Sequence, residues 1–278
     1  MKFKIAAISL TSTPNRVENI RQAEKSVREA AAEGASWVSL PEMIAYLGDY
    51  QNIWNEADEE RGRLYQHFSS LAKELKIVLF AGTWGERPPN SDHVLNQKVF
   101  NTLHVFGRNG ELLGKYRKVH LFSLKDENGG FIHSEPDGYL PGKSFESIVI
   151  DGLRVHLAIC YDLRFPEMFA TLQKLGPADI LMAPSAFTKA TGERHWELLC
   201  RSRAIDLQAW VVAPNQVGIH HGIKESFGHS YIIDPWGTIL TDSGKQPGIV
   251  YAEINTDHLH TFRMRLPVLA NKRPDLYK

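Results

Sequence analysis

The stretch Val155-His156-Leu157-Ala158-Ile159-Cys160-Tyr161-Asp162-Leu163-Arg164-Phe165-Pro166-Glu167 decides how this chain is read. A largely apolar run, Val155–Ile159, ends in Cys160 and turns through a polar segment. It meets Pro166 at the start of a helical pattern that reaches Leu175. A strand ending this way presents its sulfur at the C-terminal edge of a sheet, where open α/β folds place their chemistry. The N–H groups just past the cysteine then point at whatever the sulfur attacks. A lone cysteine is more often a small buried hydrophobe than a nucleophile, so the rest of the chain must decide.

Working outward, strands and helices alternate. Phe3–Leu10 is strand-like, and Val17, Ile20, Val27 and Ala31 mark one helix face after Pro14. Trp37–Leu40 is a short strand ending at Pro41-Glu42. Leu64, Phe68, Leu71 and Leu75 predict a helix before the strand Ile77–Trp84. Thr102–Phe106, the turn Arg108-Asn109-Gly110-Glu111 and Leu112–Lys118 form an antiparallel hairpin. Beyond Arg154–Cys160 and the helix Pro166–Leu175 come the strand Asp179–Ala183, a helix Trp196–Leu207 and the strand Trp210–Ala213. Short strands follow at His229–Ile233, Thr238–Thr241 and Gly248–Ile254. Glu86–His93 and Lys125–Tyr139 are loops long enough to be functional. With no linker or composition break, residues 1–278 are expected to form a single domain, with mixed sheets covered by helices.

Composition narrows the function. Thirty-two basic residues balance 32 acidic ones, which gives no electrostatic reason to expect nucleic acid or an anionic membrane as partner. Two cysteines cannot form a disulfide framework and are too few for a structural zinc site. Reduced thiols suit the cytosol, so a cytoplasmic location is expected. The apolar stretch Ile5–Leu10 runs into Thr-Ser-Thr-Pro without a cleavage site, so it reads as the first strand and not a leader. No segment approaches the ~18 apolar residues of a membrane span. None of the 12 histidines forms a convincing helical i, i+4 pair with an acidic partner, so no metal is expected.

Three reactive residues occupy corresponding places: Glu42 after one strand, Lys118 at the end of a hairpin strand, and Cys160 at the end of a third. Singly, each has a bland explanation as a solvated acid, a surface lysine or core filler. Together they form a carboxylate, a cation and a nucleophile at three strand ends. In these contexts the chain resembles the nitrilase superfamily of carbon–nitrogen hydrolases, whose signature is a Glu-Lys-Cys triad. Leu40-Pro41-Glu42, Lys115 to Phe122, and Cys160 to Glu167 are similar to the three signature motifs. The likeness continues through Pro184 to Phe187, His195-Trp196-Glu197, Arg201 to Ala204, Gly228-His229-Ser230, Asp234 to Gly237 and Arg273 to Tyr277. It spans essentially the whole chain in order.

The resemblance implies a four-layer αββα sandwich with two mixed sheets, homodimers or higher assemblies built through helices, and a C-terminal tail, about 258–278, at a subunit contact. It implies catalysis by Glu42, Lys118 and Cys160 without a cofactor. A second glutamate, Glu135 or less closely Glu146, would orient Lys118 and the substrate. A thiol is only a few per cent ionised at neutral pH, so a base is needed to take its proton. Glu42 fills that role, and Lys118 with the Tyr161 N–H holds the oxyanion. Tyr46, Phe122, Tyr161, Phe187 and Thr191 are candidates for the substrate pocket. Lys189, Arg194 or His221 would supply a cation for a substrate carboxylate. Asp162 and Arg164 are expected to pair and shape the turn after Cys160. Glu197, Arg201 and Arg203 fit helix-surface pairing, and Cys200 fits packing.

Tyr161-Asp162 after the cysteine resembles the amidase branches of the superfamily. Pro184 to Phe187 through Thr191-Gly192, and Gly218 to His221 before Ser226 to His229, resemble those acting on deaminated glutathione and 2-oxoglutaramate. The expected reaction is hydrolysis of a terminal amide on a small carboxylic or 2-oxo acid through a cysteine thioester, with release of ammonia. An N-carbamoyl hydrolase, an aliphatic amidase or a nitrilase is the alternative within the enzymes. A non-catalytic scaffold predicts an altered triad, and a thiol redox sensor needs a resolving cysteine that Cys200 is poorly placed to be.

Overall fold

The computed structural model describes residues 1–89, 97–222, 224–273 and 275–276. The last part of the Glu86–His93 loop, and Pro274 and Tyr277 of the C-terminal motif, lie outside them.

Two mixed sheets stack face to face. The first runs Gly248–Asn255, Lys2–Ser9, Trp37–Ser39, Val78–Glu86, Val99–Phe106, Leu112–Arg117, with Tyr139–Leu140 added beside Val99–Phe106. The second runs Ile239–Asp242, Tyr231–Ile233, Trp210–Ala213, Ile180–Met182, Leu153–Leu157, Glu146–Ile150. Each has three parallel strands at its centre: Lys2–Ser9, Trp37–Ser39 and Val78–Glu86 in one, Leu153–Leu157, Ile180–Met182 and Trp210–Ala213 in the other. Antiparallel partners flank both sets.

Among the described residues six α-helices follow in chain order: α1 (Arg16–Ala32), α2 (Ile53–Glu56), α3 (Arg63–Leu75), α4 (Pro166–Leu172), α5 (Lys189–Leu207) and α6 (Thr256–Arg265). The period-two alternation of a strand splits the first one between two cores. Ile5 and Ala7 join Val155, Leu157 and Ile180 between the sheets. Ala6 and Ile8 join Ala23, Val27 and Ala30 of α1 and Phe68 and Leu71 of α3 on the outer face. Helix α5 covers the second sheet, burying Trp196, Cys200, Ala204 and Leu207. The layers are therefore helix, sheet, sheet, helix, as expected. Among the described residues no helix is long and apolar enough to cross a membrane.

Some local expectations need correction. Val17 is exposed, and the buried stripe of α1 is Asn19, Ala23, Val27 and Ala30. Asn19 earns its buried place by donating to Thr13 O and Ala45 O at 2.6 and 2.9 Å. Helix α5 begins at Lys189, seven residues before Trp196, because its first two turns carry mostly exposed polar side chains that give no apolar period. The Lys125–Tyr139 segment holds the return strand of a hairpin, Ser123–Lys125 with Phe131–Ser134, and a 3-10 turn at Glu135–Asp137. A further hairpin, Val217–His221 with Lys224–Phe227, appears where no strand was expected.

Candidate active site

The sharp exit from Trp37–Ser39 sets Glu42. Leu40 N–H still pairs with Phe80 O, Pro41 has no N–H to give but its carbonyl accepts from Thr83 N–H at 3.3 Å, and Met43 turns back with a left-handed φ of 57°. Gly82 permits this close approach: at φ +63°, a Cβ there would lie 2.2 Å from Pro41 O. The Glu42 side chain is buried, and Oε1 accepts from Asn101 Nδ2 at 2.7 Å and Lys118 Nζ at 2.9 Å. Its Oε2 accepts from the Ala186 N–H at 2.7 Å.

Lys118 follows the strand Leu112–Arg117, and its N–H extends the ladder by one rung to Asn101 O at 2.9 Å. Its ammonium is fully buried and also donates to Glu135 Oε1 at 2.8 Å. Glu135 is locked reciprocally: its N–H donates to Phe122 O at 2.9 Å, and its Oε2 accepts the Phe122 N–H at 2.7 Å. Burial disfavours the Lys118 charge, but the carboxylates of Glu135 and Glu42 outweigh it and hold the lysine well above its usual value. One ammonium cannot satisfy two buried carboxylates fully. Burial accordingly pushes Glu135 above the usual carboxylate value, against the pull of Lys118.

Cys160 comes from the opposite sheet. After Leu153–Leu157, the N–H of Ala158 reaches Met182 O and that of Cys160 reaches Pro184 O. Cys160 itself sits at φ +48°, a left-handed conformation that costs a non-glycine residue about 1–3 kcal/mol. Asp162 stabilises this elbow. Its Oδ2 accepts from Ile159 N–H at 2.9 Å and Tyr116 OH at 2.7 Å, and its Oδ1 lies 2.7 Å from His120 Nδ1. As the second residue of the 3-10 turn Cys160–Arg164, Tyr161 has an N–H with no partner inside that turn. Burial pushes the Cys160 thiol well above its usual value, the Glu42 charge adds to this, and Lys118 opposes it. The resting group is therefore a thiol that needs a base.

Glu42, Glu135 and Cys160 meet on a cavity enclosing about 730 Å³, part of it open to solvent, with Lys118 buried behind the two carboxylates. All five expected pocket residues, Tyr46, Phe122, Tyr161, Phe187 and Thr191, also line it. Glu146 lies elsewhere and accepts from Ser144 Oγ. The expected carboxylate anchors are off the cavity: Lys189 pairs with Glu225, His221 pairs with Asp49, and Arg194 is exposed. The cations on the wall are instead Arg164 and Lys224. Arg164 does not pair with Asp162, whose oxygens are claimed by Tyr116 and His120. It lies 3.3 Å from His195 Nδ1 and over the rings of Tyr161 and Phe187. Lys224 donates to Gly48 O and sits over the Tyr50 ring. Neither has a carboxylate partner among the described residues. His220 also lines the wall, with Nδ1 2.8 Å from Ser12 O. On α5, Glu197 pairs with Arg201 as expected, whereas Arg203 pairs with Asp206.

Asn101 escaped the sequence reading. Its signal was present, since Asn101-Thr102 interrupts an otherwise largely apolar strand, where asparagine is disfavoured. Among the described residues no cluster of three or more His, Cys, Asp or Glu side chains is arranged to hold a metal.

Residues 4–264 match the carbon-nitrogen hydrolase family. The deaminated glutathione amidase of Bos taurus is 38% identical over 275 residues, 98% of this chain and 83% of that protein. The human omega-amidase NIT2 is 37% identical over 275 residues, 99% of this chain and 96% of that one. The crystal structure of the C. elegans NitFhit protein superposes with a TM-score of 0.88 at 29% identity; the match covers all of this chain and 66% of that longer one.

Proposed function

The chain belongs to the carbon–nitrogen hydrolase family and is an amidase, and from that premise we propose that it hydrolyses the amide of a small carboxylate-bearing or 2-oxo acid through a thioester at Cys160. The observation that carries this reading is the buried Lys118, bonded to both Glu42 and Glu135 on the wall that also presents Cys160. In the proposed sequence, Glu42 takes the thiol proton as sulfur bonds to the carbonyl carbon. The carbonyl π pair moves to oxygen, where Lys118 and the Tyr161 N–H stabilise it, a contribution whose loss costs about a hundredfold or more in rate. The oxyanion collapses, the C–N bond breaks, and the nitrogen leaves with the proton from Glu42. Glu42 then deprotonates a water whose oxygen bonds to the thioester carbon; the second oxyanion collapses, the C–S bond breaks, and the proton returns to sulfur as the acid leaves. Glu135 fixes the lysine between the two carboxylates.

Arg164 and Lys224, which have no carboxylate partner among the described residues, support an acidic substrate. The named relatives act on deaminated glutathione, or are omega-amidases, and both suggest a short acid of this kind. The test is a panel of deaminated glutathione, 2-oxoglutaramate, glutaramate, N-carbamoyl acids and simple nitriles. Amine release is scored beside ammonia, because a peptide-like amide leaves as an amine. Turnover confined to nitriles or N-carbamoyl compounds would overturn the substrate reading.

The assembly proposed is a homodimer through α5 and the segment after α6. Supporting it are the exposed apolar side chains Leu198 and Ile205 on α5 and Met264, Leu266 and Val268 near the C-terminus. Sedimentation of wild type against Leu198→Glu, Ile205→Glu tests it, and an unchanged mass would refute it. The free, buried thiols of Cys160 and Cys200 support a cytoplasmic setting.

A further inference from the structure

A carboxylate offers about four acceptor sites, and Glu42 has three occupied. Oε1 takes both Asn101 Nδ2, at 2.7 Å, and Lys118 Nζ, at 2.9 Å. Among the described residues Oε2 takes only the Ala186 N–H, at 2.7 Å. The free site is therefore on Oε2. Ala186 lines the cavity beside Cys160, and Pro184 O, two residues earlier, accepts the Cys160 N–H at 3.1 Å, so the oxygen held by Ala186, Oε2, is the one on the thiol side. Asn101 is fully buried in the strand Val99–Phe106, and its own carbonyl receives the Lys118 N–H at 2.9 Å. One residue thus touches the lysine with its backbone and the carboxylate with its side chain. With Lys118 alone, Oε1 would keep an open site, and the thiol proton would have two oxygens to choose between.

We propose that Asn101 is a positioning residue: it closes Oε1 of Glu42, so that the Cys160 proton passes to Oε2 alone. In that step the S–H bond breaks, the proton bonds to Oε2, and the electron pair remains on sulfur to form the bond to the attacked carbon. This rests on Glu42 being the base, and it adds which oxygen acts and what selects it. The other titratable groups that interact with Glu42 are Lys118, Glu135, Cys160, Tyr50 and Tyr139, and the variants below retain them all.

The test is the rate of Cys160 alkylation by iodoacetamide against pH, read by mass, in wild type, Asn101→Leu and Asn101→Asp. Alkylation needs no substrate, so its outcome is separate from the choice of amide. Asn101→Leu removes a hydrogen bond to a charged group, and alkylation at pH 7 should slow by about tenfold to a hundredfold. The donor favours the ionised carboxylate, so its loss should also move the acidic limb to higher pH by about one unit. Asn101→Asp keeps the shape but sets a second carboxylate against Glu42, and its limb should move further. A structural role alone would lower the folded fraction and leave the limb where it is. Should Asn101→Leu fail to fold, Asn101→Asp decides. A profile of Asn101→Asp that overlays wild type overturns the proposal.

Discussion

Replacing Lys118 with methionine keeps the apolar stem of the side chain and removes the charge between Glu42 and Glu135. In wild type that charge lies 2.9 Å from one carboxylate and 2.8 Å from the other, with all three groups buried. At an effective dielectric near 20, each contact is worth roughly 6 kcal/mol of Coulomb attraction before desolvation is subtracted. What survives when one partner of a buried pair is removed is about 3–5 kcal/mol. The loss should depend on pH with a definite sign. Burial already raises the Glu135 carboxyl, and Lys118 is the group opposing that rise. Without the lysine, the folded value climbs further above the unfolded value of about 4.3. A carboxyl raised in this way binds its proton more tightly in the folded state. Its stability contribution is complete below the unfolded value and is lost as pH rises through the folded one. Each pH unit inside that window is worth about 1.4 kcal/mol. Urea unfolding of wild type and Lys118→Met at pH 5 and pH 8 measures both quantities. The expected penalty is about 3–5 kcal/mol at pH 8 and at most about half of that at pH 5, with activity lost at both. A penalty below about 1 kcal/mol at pH 8, the value typical of an exposed pair, would refute the reasoning. So would one equal at the two pH values.

Cys160→Ala should fold and release no product, whereas Cys200→Ser should stay active. Intact mass should show a thioester on the wild type during turnover, and inactivation through Cys200 would reverse the assignment. Arg164→Met and Lys224→Met should each raise KM for a carboxylate-bearing amide by about tenfold or more, the worth of a charge-assisted hydrogen bond. A neutral amide of equal length should be little affected, and equal losses on both would leave these residues only a packing role. Burial lowers His156 to about 4, below an unfolded value of about 6.5. The unfolded chain therefore binds the proton first, and stability is complete above pH 6.5 and falls by about 1.4 kcal/mol per unit as pH drops toward 4. In His156→Gln that slope should be shallower, and an unchanged slope in denaturant titrations would contradict the assignment.

The inner architecture was legible because it is written in short-range alternation. Ile5 and Ala7 face one way and Ala6 and Ile8 the other, and Leu64, Phe68 and Leu71 line one side of α3 as their spacing required. The candidate triad was legible because each member lies at or just past a strand end: topology carries Glu42 and Lys118 to one edge of the first sheet, and the face-to-face packing of the second sheet adds Cys160. The direction of Arg164 was not. It depends on Asp162 being held by Tyr116 and His120, more than 40 residues earlier in the chain. Near neighbours in sequence invited an Asp162–Arg164 pair, and only the packing of the second sheet on the first forbids it. Asn19 and Val17 fail for a related reason. The buried polar residue is satisfied by carbonyls of Thr13 and Ala45, one of them on a separate segment, while the apolar one meets only solvent. Lys224 was hidden because its hairpin carries no strong alternation and borrows its order from the neighbouring sheets.

The pairing of Lys2–Ser9 with Gly248–Asn255 also carries a consequence for how the chain matures. Lys2 lies opposite Asn255, and Ser9 opposite Gly248, so this strand waits for a partner made far later along the chain. On a ribosome adding about 5–20 residues per second, that delay is on the order of ten to fifty seconds. Throughout it, one flank of an apolar strand offers unpaired N–H and C=O groups to any extended segment nearby. Contacts so distant in sequence also slow refolding of the complete chain. Substitutions in Gly248–Asn255 should therefore reduce the yield of native protein during synthesis well before they change the rate at which the finished molecule turns over substrate.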